Sequence, residues 1–166
     1  MRVDLDYTML HVALVLSQRS TCVKLRVGAV LINEKGIILG TGYNGVPRSM
    51  KHCIDAPCSG ASAPKGSDLC EAVHAEQNAL LQCKDTEAIS NIYVTHAPCM
   101  RCTKLLLNTE CQNVYFLDGS NQEASARDLW LRSGRYWLQY LDGPQISPRT
   151  KSPDDRSWTT PIAGAE

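Results

Sequence analysis

The sequence carries no net charge: seventeen lysines and arginines are matched by seventeen aspartates and glutamates. Such a chain creates no global positive field to gather phosphate backbones, as a sequence-tolerant nucleic-acid binder must. A small substrate is favoured instead. Also missing is any apolar run long enough to span a bilayer, and Asp4 and Asp6 interrupt the N-terminal stretch where a signal peptide would lie. Neither an internal repeat nor a low-complexity tract is present. At 166 residues the chain can bury one real core and is too short for two comfortable ones. These absences predict a soluble cytoplasmic protein with neither membrane nor nucleic acid as partner.

Cysteine is not scarce. Eight cysteines would form disulfides in an exported protein, but without an export signal a reducing compartment is expected, where thiolates more often serve metals.

Leu5, Met9, Val12, Ala13 and Leu16 recur at helical spacing, predicting an amphipathic helix from Leu5 to Gln18. "VGAVLI" and "GIILGTGY", separated by Asn33, Glu34, Lys35 and Gly36, predict a β-hairpin. Residues Asn44 to Asp68, rich in Gly, Pro, Ser and Cys, predict a long loop. A helix over Leu69 to Lys84, a strand at "NIYVT", a helix at "CMRCTKLLLNTE" with Pro98 near its start, and a strand at "NVYFL" follow. A last helix over Ser120 to Gly134 and a strand at "RYWLQYL" complete the pattern. Strands alternating with helices imply a layered α/β domain with parallel pairing in its second half. The domain is expected over residues 1–141, and residues 142–166, with Pro144, Pro148, Pro153 and Pro161, as an extended or disordered tail.

Within this frame His74, Cys99 and Cys102 supply the three nitrogen and sulfur donors of a catalytic zinc, leaving a fourth position for water. Two cysteines three apart in the first turn of a helix share a face, and the helix N-terminus favours their thiolates. Glu76 stands two residues after His74, and side chains so spaced diverge by about 200° in a regular helix. If His74 sits at the frayed start of its helix, both can face one cavity, and Glu76 is free to move protons. H-x-E alone is weak, and P-C-x-x-C alone could be a redox pair or half a zinc knuckle. Together and in this order they match the zinc nucleobase-deaminase signature.

The stretches "STC", "VGAVL", "TGYNGVP", "KHC", "LCEAVHAEQNAL", "YVTHAPCMRCTK" and "NVY" resemble the deoxycytidylate (dCMP) deaminases of the cytidine deaminase superfamily, from about Ser20 to Leu117. The resemblance implies a three-layer α/β/α domain with a five-stranded mixed sheet, commonly a hexamer, and hydrolytic deamination of dCMP to dUMP. On this basis His74, Cys99 and Cys102 hold zinc, Glu76 shuttles protons, and Asn44 contacts the nucleotide sugar. Gly42, Tyr43, Asn44 and Gly45 match the part that senses dCTP as activator, with Mg2+, and dTTP as inhibitor. Relatives often carry a tyrosine near the substrate phosphate after the strand following C-x-x-C, whereas this chain reads "FLDGSNQ". Arg26 is therefore the candidate phosphate partner, because a guanidinium grips phosphate oxygens bidentately.

Some members hold a second zinc near the "STC" and "HC" cysteines. Here Cys22, Cys53, Cys58 and Cys70 bracket the long loop and number the four of a closed structural site, with His52 as substitute. Such a metal would order a loop poor in apolar burial. Cys83 and Cys111 are expected as ordinary thiols, and Trp130, Trp137 and Tyr140 as core or subunit contacts. His11 should serve packing or surface, and His96 should line the site. Trp158, in the tail, is expected to dock on a neighbouring subunit. Two rival functions stand beside the first: a deaminase acting on a base in nucleic acid, which needs a basic groove with stacking aromatics, and a non-catalytic zinc-binding protein, which has no use for Glu76.

Overall fold

The computed structural model describes residues 2–120 and 123–141. The chain runs α1 (Leu5–Ser17), β1 (Gly28–Ile32), β2 (Ile38–Tyr43), α2 (Ala75–Gln82), β3 (Asn91–His96), α3 (Met100–Leu107), β4 (Asn113–Asp118), α4 (Ala124–Arg132) and β5 (Tyr136–Gln139). The expected tail at 142–166, with Trp158, lies outside the described residues.

The five strands form one mixed sheet in the order β2-β1-β3-β4-β5. β1 is antiparallel to β2 and β3, whereas β3, β4 and β5 are parallel, each joined to the next through a helix. β1 is buried on both faces, and its alternation assigns the layers. Val30 and Ile32, with Tyr93 of β3, meet Met9, Leu10 and Ala13 of α1. Ala29 and Leu31, with Ile92 and Val94, face a second cluster holding Ala75 and Ala79 of α2, Leu106 of α3 and Trp130 of α4. The expected α/β/α layering is present, with α1 covering one face and three helices the other.

Local chemistry explains the boundaries. Asp4 caps α1 by accepting from Tyr7 N–H at 3.1 Å. In the hairpin turn Asn33 Oδ1 accepts from the Lys35 and Ile37 amides, and Gly36 takes φ 77°, which delays β2 to Ile38. The helix expected from Leu69 starts only at Ala75, because Val73 pairs instead with Gly45 in an antiparallel bridge. The expected α3 is trimmed at its C-terminal end, stopping at Leu107. α4 is trimmed at both ends, with residues 121 and 122 outside the described residues. No helix or strand interrupts residues 44–74, the Gly45–Val73 bridge apart, so the loop expected over 44–68 runs six residues further.

The aromatic residues pack. Trp130 is fully buried and donates its indole N–H to Tyr136 O at 3.0 Å, Trp137 tilts against Phe116 and Trp130, and Tyr140 lies against Tyr7. His11 meets the edge of the Tyr7 ring, Cys111 is buried in the core, and half-buried Cys83 packs against it. No helix among the described residues is long and apolar enough to cross a membrane.

Candidate metal centre

Two helix starts face one another at the carboxyl end of β3. His74 is the N-cap of α2, extended at φ −73° and ψ 158°, and Cys99 is the N-cap of α3 at φ −74° and ψ 169°. His74 Nδ1 lies 3.5 Å from Cys99 Sγ and 3.4 Å from Cys102 Sγ. A tetrahedral zinc with ordinary bond lengths to sulfur and nitrogen spaces those donors about 3.5 Å apart, so these residues fit the ion in chemistry and in spacing. They form the one group of three potential ligands found among the described residues.

The Cys102 thiol donates to Cys99, which pulls the Cys99 thiol down to about 3, with the His74 hydrogen bond adding to it. The same contact, with burial, pushes Cys102 above the thiol range. His74 is raised by its hydrogen bond to Cys99 despite burial. Zinc is bound by thiolates, so loading the site would release protons. Glu76 is 4% exposed, and burial raises its carboxyl pKa against the opposing pull of its own backbone N–H. The charge of His74 and the Cys102 thiol both act on the Glu76 carboxyl, so it lies beside the donor set.

Glycine positions the ligand-bearing helix. A Cβ on Gly42 would sit 2.1 Å from Ala75 O, and one on Gly45 would sit 2.6 Å from Thr21 Oγ1. Asn78 Nδ2 donates to Tyr43 O at 2.8 Å. The segment Gly42 to Gly45 is thus packed directly against the start of α2. Asn44, 7% exposed, uses Oδ1 to accept from Val27 N–H at 2.8 Å and Nδ2 to donate to Leu25 O at 2.9 Å, shaping the approach to β1. Arg26 precedes β1 at the same end of the sheet, since Gly28 N–H donates to Thr95 Oγ1 at 3.2 Å; its guanidinium donates to Gln18 Oε1 at 2.6 Å.

Cys53 and Cys58 bring their sulfurs to 3.8 Å. Cys22 and Cys70 do not join them as a three-ligand group, and His52 turns toward Asp55 at 3.9 Å. The backbone N–H of Glu71, and then that of Gly60, hold the Cys58 thiol below its usual range. Ile54 N–H, donating to Thr21 O at 3.1 Å, keeps Cys22 and Cys53 in one neighbourhood.

His96 and Arg101 lie within the "YVTHAPCMRCTK" stretch and Glu123 outside any motif, and all three take distant partners. His96, 6% exposed, approaches Asp118 at 3.5 Å and Thr95 Oγ1 at 3.0 Å, and burial lowers its pKa, so it faces Asp118 as a neutral ring at neutral pH. Arg101, one residue before Cys102, pairs with Asp68 and ties the long loop to α3. Glu123 accepts from Met100 N–H at 2.9 Å. Their partners lie 22 to 33 residues away in sequence, beyond the reach of local pattern.

The profile of the cytidine and deoxycytidylate deaminase zinc-binding region matches residues 3–118. The chain belongs to that family. It is 36% identical over 123 residues to ComE operon protein 2 of Bacillus subtilis, covering 72% of this chain and 62% of that protein. It is 37% identical over 123 residues to the deoxycytidylate deaminase of Mycobacterium phage D29, covering 69% of this chain and 95% of the phage protein. Among solved structures, the dCMP deaminase of cyanophage S-TIM5 in complex with dCMP and dUMP superposes with a TM-score of 0.68 at 26% identity, over 84% of this chain and 99% of that one.

Proposed function

We propose that this chain is a zinc-dependent hydrolase that deaminates dCMP to dUMP. The observation that best supports this reading is a three-donor set, His74, Cys99 and Cys102, beside a buried carboxylate, Glu76, outside that set. Zinc held there supplies a water acidified toward neutrality as nucleophile for the ring carbon bearing the amine. Glu76 would take one proton of the attacking water and deliver it to the ring nitrogen, then take the second from the hydroxyl now on the ring carbon and pass it to the amine, which leaves as ammonia. A carboxyl raised by burial suits both tasks, because its two protonation states lie closer in energy near neutral pH. The names of the phage relative and the ligands of the cyanophage neighbour agree in pointing to dCMP.

Arg26 is the candidate partner of the phosphate and Asn44 of the sugar. Activation by dCTP with Mg2+ and inhibition by dTTP would act through Gly42 to Gly45, whose contact with α2 offers a direct route to Glu76. A structural zinc around Cys53 and Cys58, completed by Cys22 and Cys70, and a cytoplasmic hexamer belong to the same reading. The test is turnover of dCMP, deoxycytidine, dCTP and a cytosine-containing oligonucleotide side by side, each with and without dCTP or dTTP and magnesium. Preference for dCMP, tuned in opposite directions by the two triphosphates, is expected. Turnover of the oligonucleotide alone would replace the substrate, and no turnover of any would remove the activity.

A further inference from the structure

We infer that Glu123 is a positioning residue of the metal centre: from α4 its carboxylate caps the helix carrying Cys99 and Cys102, and so fixes the spacing of the two sulfurs. This rests on reading His74, Cys99 and Cys102 as the zinc site. The first amides of any helix lack internal partners, and the N-cap side chain ordinarily accepts from one of them. Cys99 occupies that position on α3 with its sulfur turned to His74, and the Met100 N–H is left to another acceptor. Glu123 Oε2 takes over, accepting at 2.9 Å from the N–H of Met100, the residue directly after Cys99. Glu123 is itself the N-cap of α4 and gives that helix no side-chain bond. Its carboxylate serves the neighbouring helix, whose positive N-terminal end also favours the charge.

The other ligand-bearing helix follows the same division of labour. The His74 ring is committed to the sulfurs, and Gln77 Oε1 accepts from His74 N–H at 2.9 Å. In each case a ligand stands at an N-cap and another side chain accepts from a backbone N–H beside it.

The experiment measures Zn2+ affinity by chelator competition, and the absorption of the Co2+-substituted protein, for wild type and Glu123→Ala, Glu123→Asp and Glu123→Gln. Melting of each metal-free protein is recorded alongside. Loss of a hydrogen bond in the shell around metal ligands typically weakens binding about 10- to 100-fold, and that is expected for Ala and for Asp, whose charge remains but whose reach is one methylene short. The thiolate-to-cobalt band should shift in both. Gln offers an amide oxygen to the same N–H and should stay within about threefold of wild type. Wild-type affinity and spectrum in Glu123→Ala would overturn the proposal. So would a Gln variant as weak as Ala, since charge and not the bond would then matter. If Ala fails to fold, Asp against Gln decides. Wild type binding neither Zn2+ nor Co2+ would overturn the zinc reading itself, and the inference with it.

Discussion

Glu76 carries two distinct consequences of its burial. In catalysis, Glu76→Gln keeps the shape but removes a group used for both proton transfers; general acid–base catalysis is worth about a hundred- to ten-thousand-fold, so turnover should fall at least roughly a thousandfold. Zinc content and dCMP binding should stay near normal, as metal analysis and equilibrium binding would show; loss of zinc would instead make Glu76 a ligand. In stability, a carboxyl raised in the folded state contributes fully below its unfolded pKa and loses that contribution as pH rises through the folded value. The metal-free Glu76→Gln protein, which never acquires the buried charge, should therefore melt at the same temperature as wild type near pH 4. It should melt higher than wild type at pH 7. Equal melting at both pH values would mean that Glu76 is solvated in the metal-free protein.

Between elements, α2 can bear both His74 and Glu76 only because it lies unusually close to β2. Gly40 and Gly42 face Ala79 O and Ala75 O, one helical turn apart, and a Cβ at either would meet backbone that cannot rotate away. Gly42→Ala should push the start of α2 outward, costing about 1–3 kcal/mol and displacing Glu76 from the metal. A drop in kcat/KM of about tenfold or more is expected, since a misplacement of about 1 Å can cost a hundredfold. Gly66→Ala is the control. Gly66 has φ 79° with open space around it, so alanine there brings only conformational strain of about 1 kcal/mol and should leave kcat/KM unchanged. Denaturant unfolding together with steady-state kinetics separates the two; equal kinetic effects would show that the close approach of α2 is not what positions Glu76.

For the molecule as a whole, residues 44–74 form a long connection without helix or strand, anchored at Gly45–Val73 and by Arg101 to Asp68. A tetrahedral zinc bound by thiolates spaces two of them about 3.8 Å apart, which is the spacing of Cys53 and Cys58. Two zincs per chain are expected by metal analysis, with Cys53 and Cys58 protected from alkylation until a chelator is added. Removing that metal should loosen the loop and lower the melting temperature, whereas Cys99→Ser or Cys102→Ser should abolish turnover in a protein that stays folded. A single zinc with Cys53 freely alkylated would leave the loop held by its hydrogen bonds alone.

The helical spacing of Leu5 to Leu16, the alternation of "VGAVLI" and the pairing of H-x-E with P-C-x-x-C are local properties of the chain, because side-chain period and ligand spacing depend on neighbours a few residues apart. They were enough to anticipate the strands of the sheet and the grouping of His74, Cys99 and Cys102. Where α2 begins was not decided that way. Val73 is kept out of the helix by Gly45, 28 residues earlier, which leaves His74 extended ahead of α2. The same holds for Gly42 beneath Ala75, for Asp118 against His96 and for Glu123 on Met100. Each of these contacts joins residues whose separation in sequence carries no period, so only the packed fold, in which helix starts and strand ends meet, could bring them together.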